Sequence, residues 1–139
     1  KKIGEDIFNR INIIAQYLDD IIPFAKDRIN KIKVNLNNKL NELDAQKIDA
    51  NRFEQELLYY LEKQDITEEQ VRLESHLDYF KKIMQTTSPN GKKLAFVAQE
   101  IGREINTIGS KSSDAEMQQI VVQMKDELEK IKEQLLNIL

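Results

Sequence analysis

The amino-acid sequence predicts an all-α protein, and three observations support this prediction. Apolar residues recur at intervals of three and four along most of the chain, which is the period of an amphipathic helix. Only four glycines and two prolines occur among 139 residues, so few positions interrupt a helix. The alternation of β-branched and polar residues that is typical of strands is missing. We therefore expect helices packed on helices in a single domain that covers residues 1–139.

The composition argues against several classes of protein. Charged residues make up 32% of the chain and the formal net charge is −3, whereas a general nucleic-acid coat protein would be basic overall. Cysteine is absent, which removes disulfides and thiolate metal sites. No run of about 18 apolar residues occurs, so we expect no association with a membrane. Because helical patterning begins at once at Lys1, we expect the chain to be part of a longer protein.

The first predicted helix is long. Its apolar residues step by three and four from Ile3 to Leu43. Pro23 lies inside this stripe, and because proline lacks an N–H and clashes with the preceding turn, we expect a kink or a break there. A straight helix of about 43 residues would span roughly 65 Å, so it needs a partner along its whole length.

Two shorter helices are predicted next. One runs from about Asp49 to Lys63. Its predicted buried side consists of Phe53, Leu57 and either Tyr60 or Leu61. The other starts at Thr67, where residues 67–70 match a capping box. Its predicted buried positions are Val71, Leu73, Leu77, Phe80 and Met84.

The fourth predicted helix follows a loop at residues 86–91 and runs from about Gly91 to Ile108, with Gly109 as its C-terminal cap. Its apolar stripe consists of Leu94, Val97, Ile101, Ile105 and Ile108. Its polar side groups Glu100, Arg103, Glu104 and Thr107 at helical spacing. A face so rich in ionisable groups beside a complete apolar stripe is a candidate site.

The last predicted helix opens at a second capping box, residues 113–116, and has a heptad pattern. The heptad positions are Met117, Val121, Met124, Leu128, Ile131, Leu135 and Ile138. This 3.5-residue period is typical of left-handed coiled-coil packing, and the first helix shares it. We therefore expect an elongated antiparallel helical hairpin of the two long helices, with a small cluster of the three shorter helices at one end.

Paired carboxylates indicate one possible chemistry. Glu100 and Glu104 lie one turn apart, and such a pair can hold a hydrated Mg²⁺ or Mn²⁺. Arg103 beside them could clamp a phosphate. The alternative is that Arg103 neutralises its neighbours on a solvated helix face, which is the more common arrangement.

The only histidine gives a second candidate. Glu69, Arg72 and His76 share one side of the third helix, so His76 could act as a general base beside an orienting carboxylate and an anion-binding arginine. The alternative is a partly exposed histidine beside an ordinary salt bridge. Lys92 and Lys93 add to a locally basic middle segment that could follow a phosphate backbone, although scattered surface lysines are common.

Several sequence blocks together resemble the C-terminal half of the YicC family of bacterial proteins. They are Asn51–Glu56 (NRFEQE), Asp65–His76 (DITEEQVRLESH), Gly91–Phe96 (GKKLAF), Gln99–Lys111 (QEIGREINTIGSK), Asp114–Glu116 (DAE) and the closing residues 130–138. The blocks follow the family's order over essentially the whole chain. Two positions depart from its pattern: Ala95 stands where the family often has an acidic residue, and Gly102 where bulkier polar residues are common.

The resemblance implies a cytoplasmic bacterial endoribonuclease that needs a divalent metal such as Mn²⁺ or Mg²⁺. It also implies a homo-oligomer, in the full-length protein a hexamer around a channel for RNA, and an N-terminal domain that is absent from this chain. By position in the motifs, Glu100 and Glu104, with Glu69, would hold the cation and His76 would move a proton. The residues expected to bind RNA phosphates are Arg72, Lys92, Lys93, Arg103, Asn106 and Lys111.

Two other functions remain open from the sequence. The chain could be a non-catalytic RNA-binding or oligomerisation module whose catalytic groups lie in the missing domain. It could also be a coiled-coil spacer, although a spacer needs no polar face of this density. Convergence of His76 and the Glu100 face in space would favour catalysis, and their separation would favour a scaffold.

Overall fold

A computed structural model describes residues 2–42, 50–86 and 90–138, and all regular structure within these ranges is α-helical. The predicted all-α class is therefore confirmed. The helices are α1 (Lys2–Glu42), α2 (Ala50–Gln64), α3 (Thr67–Met84), α4 (Gly91–Lys111) and α5 (Ala115–Ile138). No helix in the described ranges has the length and apolar character needed to cross a membrane.

Helices α1 and α5 pack against each other in antiparallel orientation. Asp6 accepts a hydrogen bond of 3.0 Å from Gln134, and one turn later Arg10 pairs with Glu127 at 2.9 Å. The residue numbers on α5 fall as those on α1 rise, so the two helices run in opposite directions. Hydrogen bonds to Asp6 and Glu127 raise the pKa of Arg10, so this link stays charged.

Helices α3 and α4 lie alongside this pair. The start of α3 at Ile66 faces Ala25, and its end at Met84 faces Gly4, so α3 runs antiparallel to α1. Helix α4 is in turn antiparallel to both α3 and α5, and the four helices form an up-down-up-down bundle. The expected arrangement, a hairpin of the two long helices with a cluster of the three shorter helices at one end, is not confirmed. Because α3 and α4 each carry an apolar stripe, they can bury it only by lying lengthwise on their neighbours.

One apolar core runs through the bundle. Each of its four helices contributes a stripe, and the predicted stripe of α4 is buried throughout. The heptad positions of α5 from Met117 to Leu135 are buried as predicted. The largest fully buried side chains include Phe80, Ile7, Ile11, Ile14, Leu73 and Ile101. Val71, predicted to be buried, is 59% exposed, and Ile83 of α3 lies in the core.

The second part of α1, residues 29–42, forms an arm with α2. Arg28 donates to Gln64 at 3.1 Å where the arm joins the bundle. Leu36 of the arm is buried, whereas Phe53, Leu57 and Leu61 are only half-buried. Of the two alternatives for α2, Leu61 is half-buried, whereas Tyr60 is 44% exposed. Leu43 lies outside the described residues.

Two predicted helix limits differ from the structure, and a third agrees with it. Helix α1 continues through Pro23 without a break; the proline is exposed, and Ile21 and Ala25, two residues before and after it, are buried in the core. Helix α4 passes Gly109 and ends at Lys111, with Ser112 as its cap. Helix α3 starts at Thr67 as predicted, but its N-cap residue is Ile66, which makes no side-chain capping bond, and the Asp65 carboxylate accepts the N–H of Thr67 at 2.9 Å. Residues 87–89 of the predicted loop lie outside the described residues.

Candidate functional site

Four ionisable side chains form a cluster between α3 and α4. The Arg72 Nε lies 3.0 Å from Oε1 and 3.2 Å from Oε2 of Glu104. Lys111 Nζ lies 3.2 Å from both carboxylate oxygens of Glu69, and Arg72 reaches Glu69 at 3.4 Å. The two carboxylates are only 4% and 6% exposed, whereas the side chain of Arg72 is 49% exposed. We call these residues, Glu69, Arg72, Glu104 and Lys111, the ion-pair cluster.

The cluster continues into the cap of α3. Lys111 also donates to the carbonyl oxygen of Asp65 at 3.0 Å, and the Asp65 carboxylate accepts from the hydroxyl and N–H of Thr67. The hydroxyl bond is the main cause that lowers the pKa of Asp65, and Lys111 adds to it. Asp65 therefore stabilises the fold at neutral pH, and this contribution is lost in acid as the pH falls towards the lowered pKa. The bond to Glu104 raises the pKa of Arg72.

Each predicted metal ligand already contacts a cation of the protein. Glu69 and Glu104 are buried and already compensated by cations, so neither offers a free oxygen pair to a metal ion. Within residues 2–42, 50–86 and 90–138, no three histidine, aspartate or glutamate side chains are grouped as a metal site requires. The residues as arranged do not fit a divalent cation held by Glu69, Glu100 and Glu104.

His76 and Glu100 lie further along the interface between α3 and α4, which we call the seam. Helices α3 and α4 are antiparallel, so His76, one turn after Arg72, falls at the level of Glu100, one turn before Glu104. Both side chains are half-buried. Glu100 contacts Arg103 at 3.8 Å, and the side chain of Arg103 is 75% exposed. The seam thus brings these residues to one level, and their roles in proton transfer stay a prediction.

A second polar surface lies on the solvent side of α4. Lys92, Phe96, Gln99, Arg103 and Asn106 recur at steps of four and three and are all exposed. They form a straight stripe about 21 Å long, which we call the α4 outer stripe. Lys93 lies beside it with its Nζ 5.4 Å from the Tyr79 ring centre. Of the predicted phosphate-binding residues, the stripe gathers Lys92, Arg103 and Asn106 with Lys93 next to them, while Arg72 and Lys111 belong to the ion-pair cluster.

Helix α5 adds lysines to the edge of this stripe. Gly102 and Gly109 of α4 face α5, and a Cβ at Gly102 would lie 3.1 Å from Leu128 and 3.8 Å from the Lys132 ammonium. A Cβ at Gly109 would meet Val121 at 3.1 Å and the Lys125 ammonium at 3.9 Å. The two glycines therefore let α5 approach closely, and Lys125 and Lys132 lie across the surface of α4.

Sequence reasoning missed three features of this surface. It treated Phe96 only as part of a motif, although the side chain is 65% exposed. It placed Lys111 on phosphate, whereas Lys111 pairs with a buried glutamate. It noted Gly102 only as a departure from the family pattern, but the seven-residue spacing of Gly102 and Gly109 is a packing signal that matches the spacing of Val121 and Leu128.

The bundle, its ion-pair cluster and the α4 outer stripe belong to a helical domain of the endoribonuclease YicC-like type. Residues 21–139 match the family model described as "Endoribonuclease YicC-like, C-terminal", and the chain belongs to this family. A protein of Clostridioides difficile (strain 630), named "Probable endoribonuclease YicC", is 41% identical over 140 residues, which cover 99% of this chain and 48% of the relative.

A second relative with the same name comes from Haemophilus influenzae. It is 36% identical over 96 residues, covering 68% of this chain and 33% of the relative. The chain therefore spans about half the length, or less, of these curated relatives. The resemblance to the YicC family that the sequence blocks indicated is confirmed.

Proposed function

We propose that this chain is the RNA-binding helical part of an endoribonuclease. The observation that carries the proposal is the α4 outer stripe, where exposed cations, amides and an aromatic ring lie in one line. Such a surface suits a phosphate backbone with accessible bases. The relatives named as endoribonucleases support RNA as the ligand and its strand scission as the activity of the whole protein.

Within this activity, the chain itself serves binding and positioning more than bond cleavage. Its two buried glutamates are compensated by Arg72 and Lys111, so they hold α3 and α4 together rather than face a substrate. This observation favours the alternative in which catalytic groups lie partly outside this chain. His76 and Glu100, half-buried at one level of the seam, are the residues of this chain best situated to complete a composite site.

The proposal includes three properties of the whole protein. Cleavage would act on cytoplasmic RNA, depend on Mn²⁺ or Mg²⁺, and require a homo-oligomer. The described carboxylates do not supply a complete ligand set, so we derive no catalytic step through the cation. Self-association is supported by the exposed apolar side chains Leu58 and Tyr59 of the arm.

The proposal is tested by measuring the affinity of the chain for RNA as a function of salt. We expect binding that weakens as salt rises, because neutralised phosphates release counterions. Exchange of Lys92→Glu together with Lys93→Glu should abolish most of the affinity and reduce the salt slope by about one per lost phosphate contact.

The matched control is Lys31→Glu together with Lys33→Glu, which changes the net charge equally on exposed positions of the arm. Equal losses in both double variants would contradict a specific role of the α4 outer stripe. Absence of any RNA binding by the parent chain would contradict the proposed function itself.

A further inference from the structure

An open groove surrounds Phe96 at the end of the bundle where α4 begins and α5 ends. Its volume is about 390 Å³, and we call it the Phe96 groove. It is lined by Lys92, Ala95, Phe96, Gln99, Lys132, Leu135 and Leu136. Phe96 and Leu136 are 65% and 72% exposed, so two large apolar side chains face solvent beside two lysines.

The base of the groove is apolar and well packed, and its edges are polar. Leu135 is buried in the bundle core, and Ala95 has too small a side chain to fill the space between Phe96 and α5. Lys132 lines the groove, and its ammonium lies 3.8 Å from the position that a Cβ at Gly102 would take. Its ammonium lies 3.6 Å from Glu129, whose side chain is 69% exposed, so this pair is weak and can exchange for another anion.

We propose that the Phe96 groove binds an unpaired base of single-stranded RNA, which stacks on the Phe96 ring. Lys92 and Lys132 contact the phosphates on either side of this nucleotide, and the Gln99 amide is within reach of the base edge. This inference rests on the proposed function and deepens it, because it assigns the bound RNA a single-stranded segment and gives Phe96 a direct contact.

The chemistry of the groove favours a single strand over its competitors. Aromatic rings bind any base whose face is accessible, and bases within a duplex offer no free face. Two lysines at opposite edges match a ligand that is apolar in the middle and anionic on both sides. A protein partner would need acidic groups with the same spacing, and it is treated as an outcome of the test.

Tryptophan fluorescence gives a direct test, because the chain contains no tryptophan. Phe96→Trp retains a stacking ring and introduces a single reporter at the groove. We expect its emission to be quenched when a single-stranded oligoribonucleotide is added and to recover at high salt. A duplex of the same sequence should quench it much less. Unchanged emission while anisotropy shows the labelled single strand bound would overturn the proposal.

Affinity measurements separate stacking from simple apolar contact. Phe96→Leu keeps an apolar side chain but loses the ring, and we expect single-strand affinity to fall by about fivefold or more, whereas Phe96→Trp retains it. Phe24→Leu, an exposed aromatic on α1, is the matched control and should leave the affinity unchanged. Thermal unfolding establishes that each variant is folded.

The outcomes distinguish the proposed RNA-binding function from the stacking inference. If Lys92→Glu with Lys93→Glu weakens RNA binding but Phe96→Leu does not, the chain binds RNA through its charges and the stacking inference is wrong. If the parent chain binds no RNA, the proposed function fails first. Equal affinity of the parent chain for single strand and duplex also contradicts the inference, and the groove then remains for a protein ligand.

Discussion

At the residue scale, burial determines whether a charged side chain stabilises the fold or is available to a ligand. Glu69 and Glu104 were both predicted metal ligands, Glu104 because it shares a helix face with Glu100 and Glu69 because of the family resemblance. In the bundle they point between α3 and α4, where an uncompensated charge would be costly. Each is therefore paired with a cation from the facing helix, and of the predicted phosphate-binding cations Lys92, Lys93 and Arg103 remain exposed on the outer side.

The pair of Glu69 and Lys111 gives a prediction about stability. Lys111→Met leaves the buried Glu69 with only its longer contact to Arg72, so we expect the free energy of unfolding to fall by about 1–3 kcal/mol. The double variant Glu69→Leu with Lys111→Met removes both charges and should recover most of this loss. Chemical denaturation measures both changes.

The same variants test where Lys111 acts. Because its ammonium is occupied by Glu69 and Asp65, folded Lys111→Met should bind RNA nearly as the parent chain does. A large loss of RNA affinity without a loss of stability would contradict the structural assignment and return Lys111 to the phosphate-binding residues.

At the element scale, the sequence was informative wherever a stripe repeated at the helical period. The heptads of α5 and the stripe of α4 predicted their buried faces, because burial of a continuous apolar side leaves few alternatives. The lateral order of the helices could not be predicted, because several pairings bury the same stripes. The partners of Glu69 and Glu104 depend on that order, since they lie 42 and 32 residues away on the facing helix.

The role of the glycines in α4 also depends on the lateral order of the helices, and it gives a prediction about stability. A glycine inside a helix normally costs up to about 1 kcal/mol relative to alanine, yet Gly102 permits close packing of α5. Gly102→Leu should therefore destabilise the bundle by about 1–3 kcal/mol, because Leu128 would have to move. Thermal unfolding followed by circular dichroism measures the change.

Gly4 of α1 provides the matched control. The nearest atom to its Cβ position is the flexible end of Met84 at 3.8 Å, which is an ordinary contact. Gly4→Leu should thus change stability by less than about 0.5 kcal/mol, as is usual for peripheral positions. Equal destabilisation by both substitutions would show that leucine at either glycine is harmful for a reason other than the α4–α5 approach.

At the scale of the whole molecule, the bundle and the arm differ in how well they bury their apolar residues. The bundle has a continuous core, whereas the arm leaves Val34, Leu58 and Tyr59 more than half exposed. Large apolar side chains gathered on a projecting helix pair are typical of an association surface. We therefore propose that the bundle presents the RNA-binding groups independently of the arm, and that the arm contacts a second copy of the chain.

This division predicts that self-association and RNA contact respond to different substitutions. Leu58→Glu with Tyr59→Glu places charges on the arm, so the molar mass from light scattering should fall towards that of a monomer. The thermal unfolding of the bundle should stay within a few degrees, because neither side chain belongs to its core. Val122→Glu, an equally exposed apolar position on α5, is the control and should leave the molar mass unchanged. A parent chain that is already monomeric, or an assembly that survives the arm substitutions, would contradict the arm as the contact between copies.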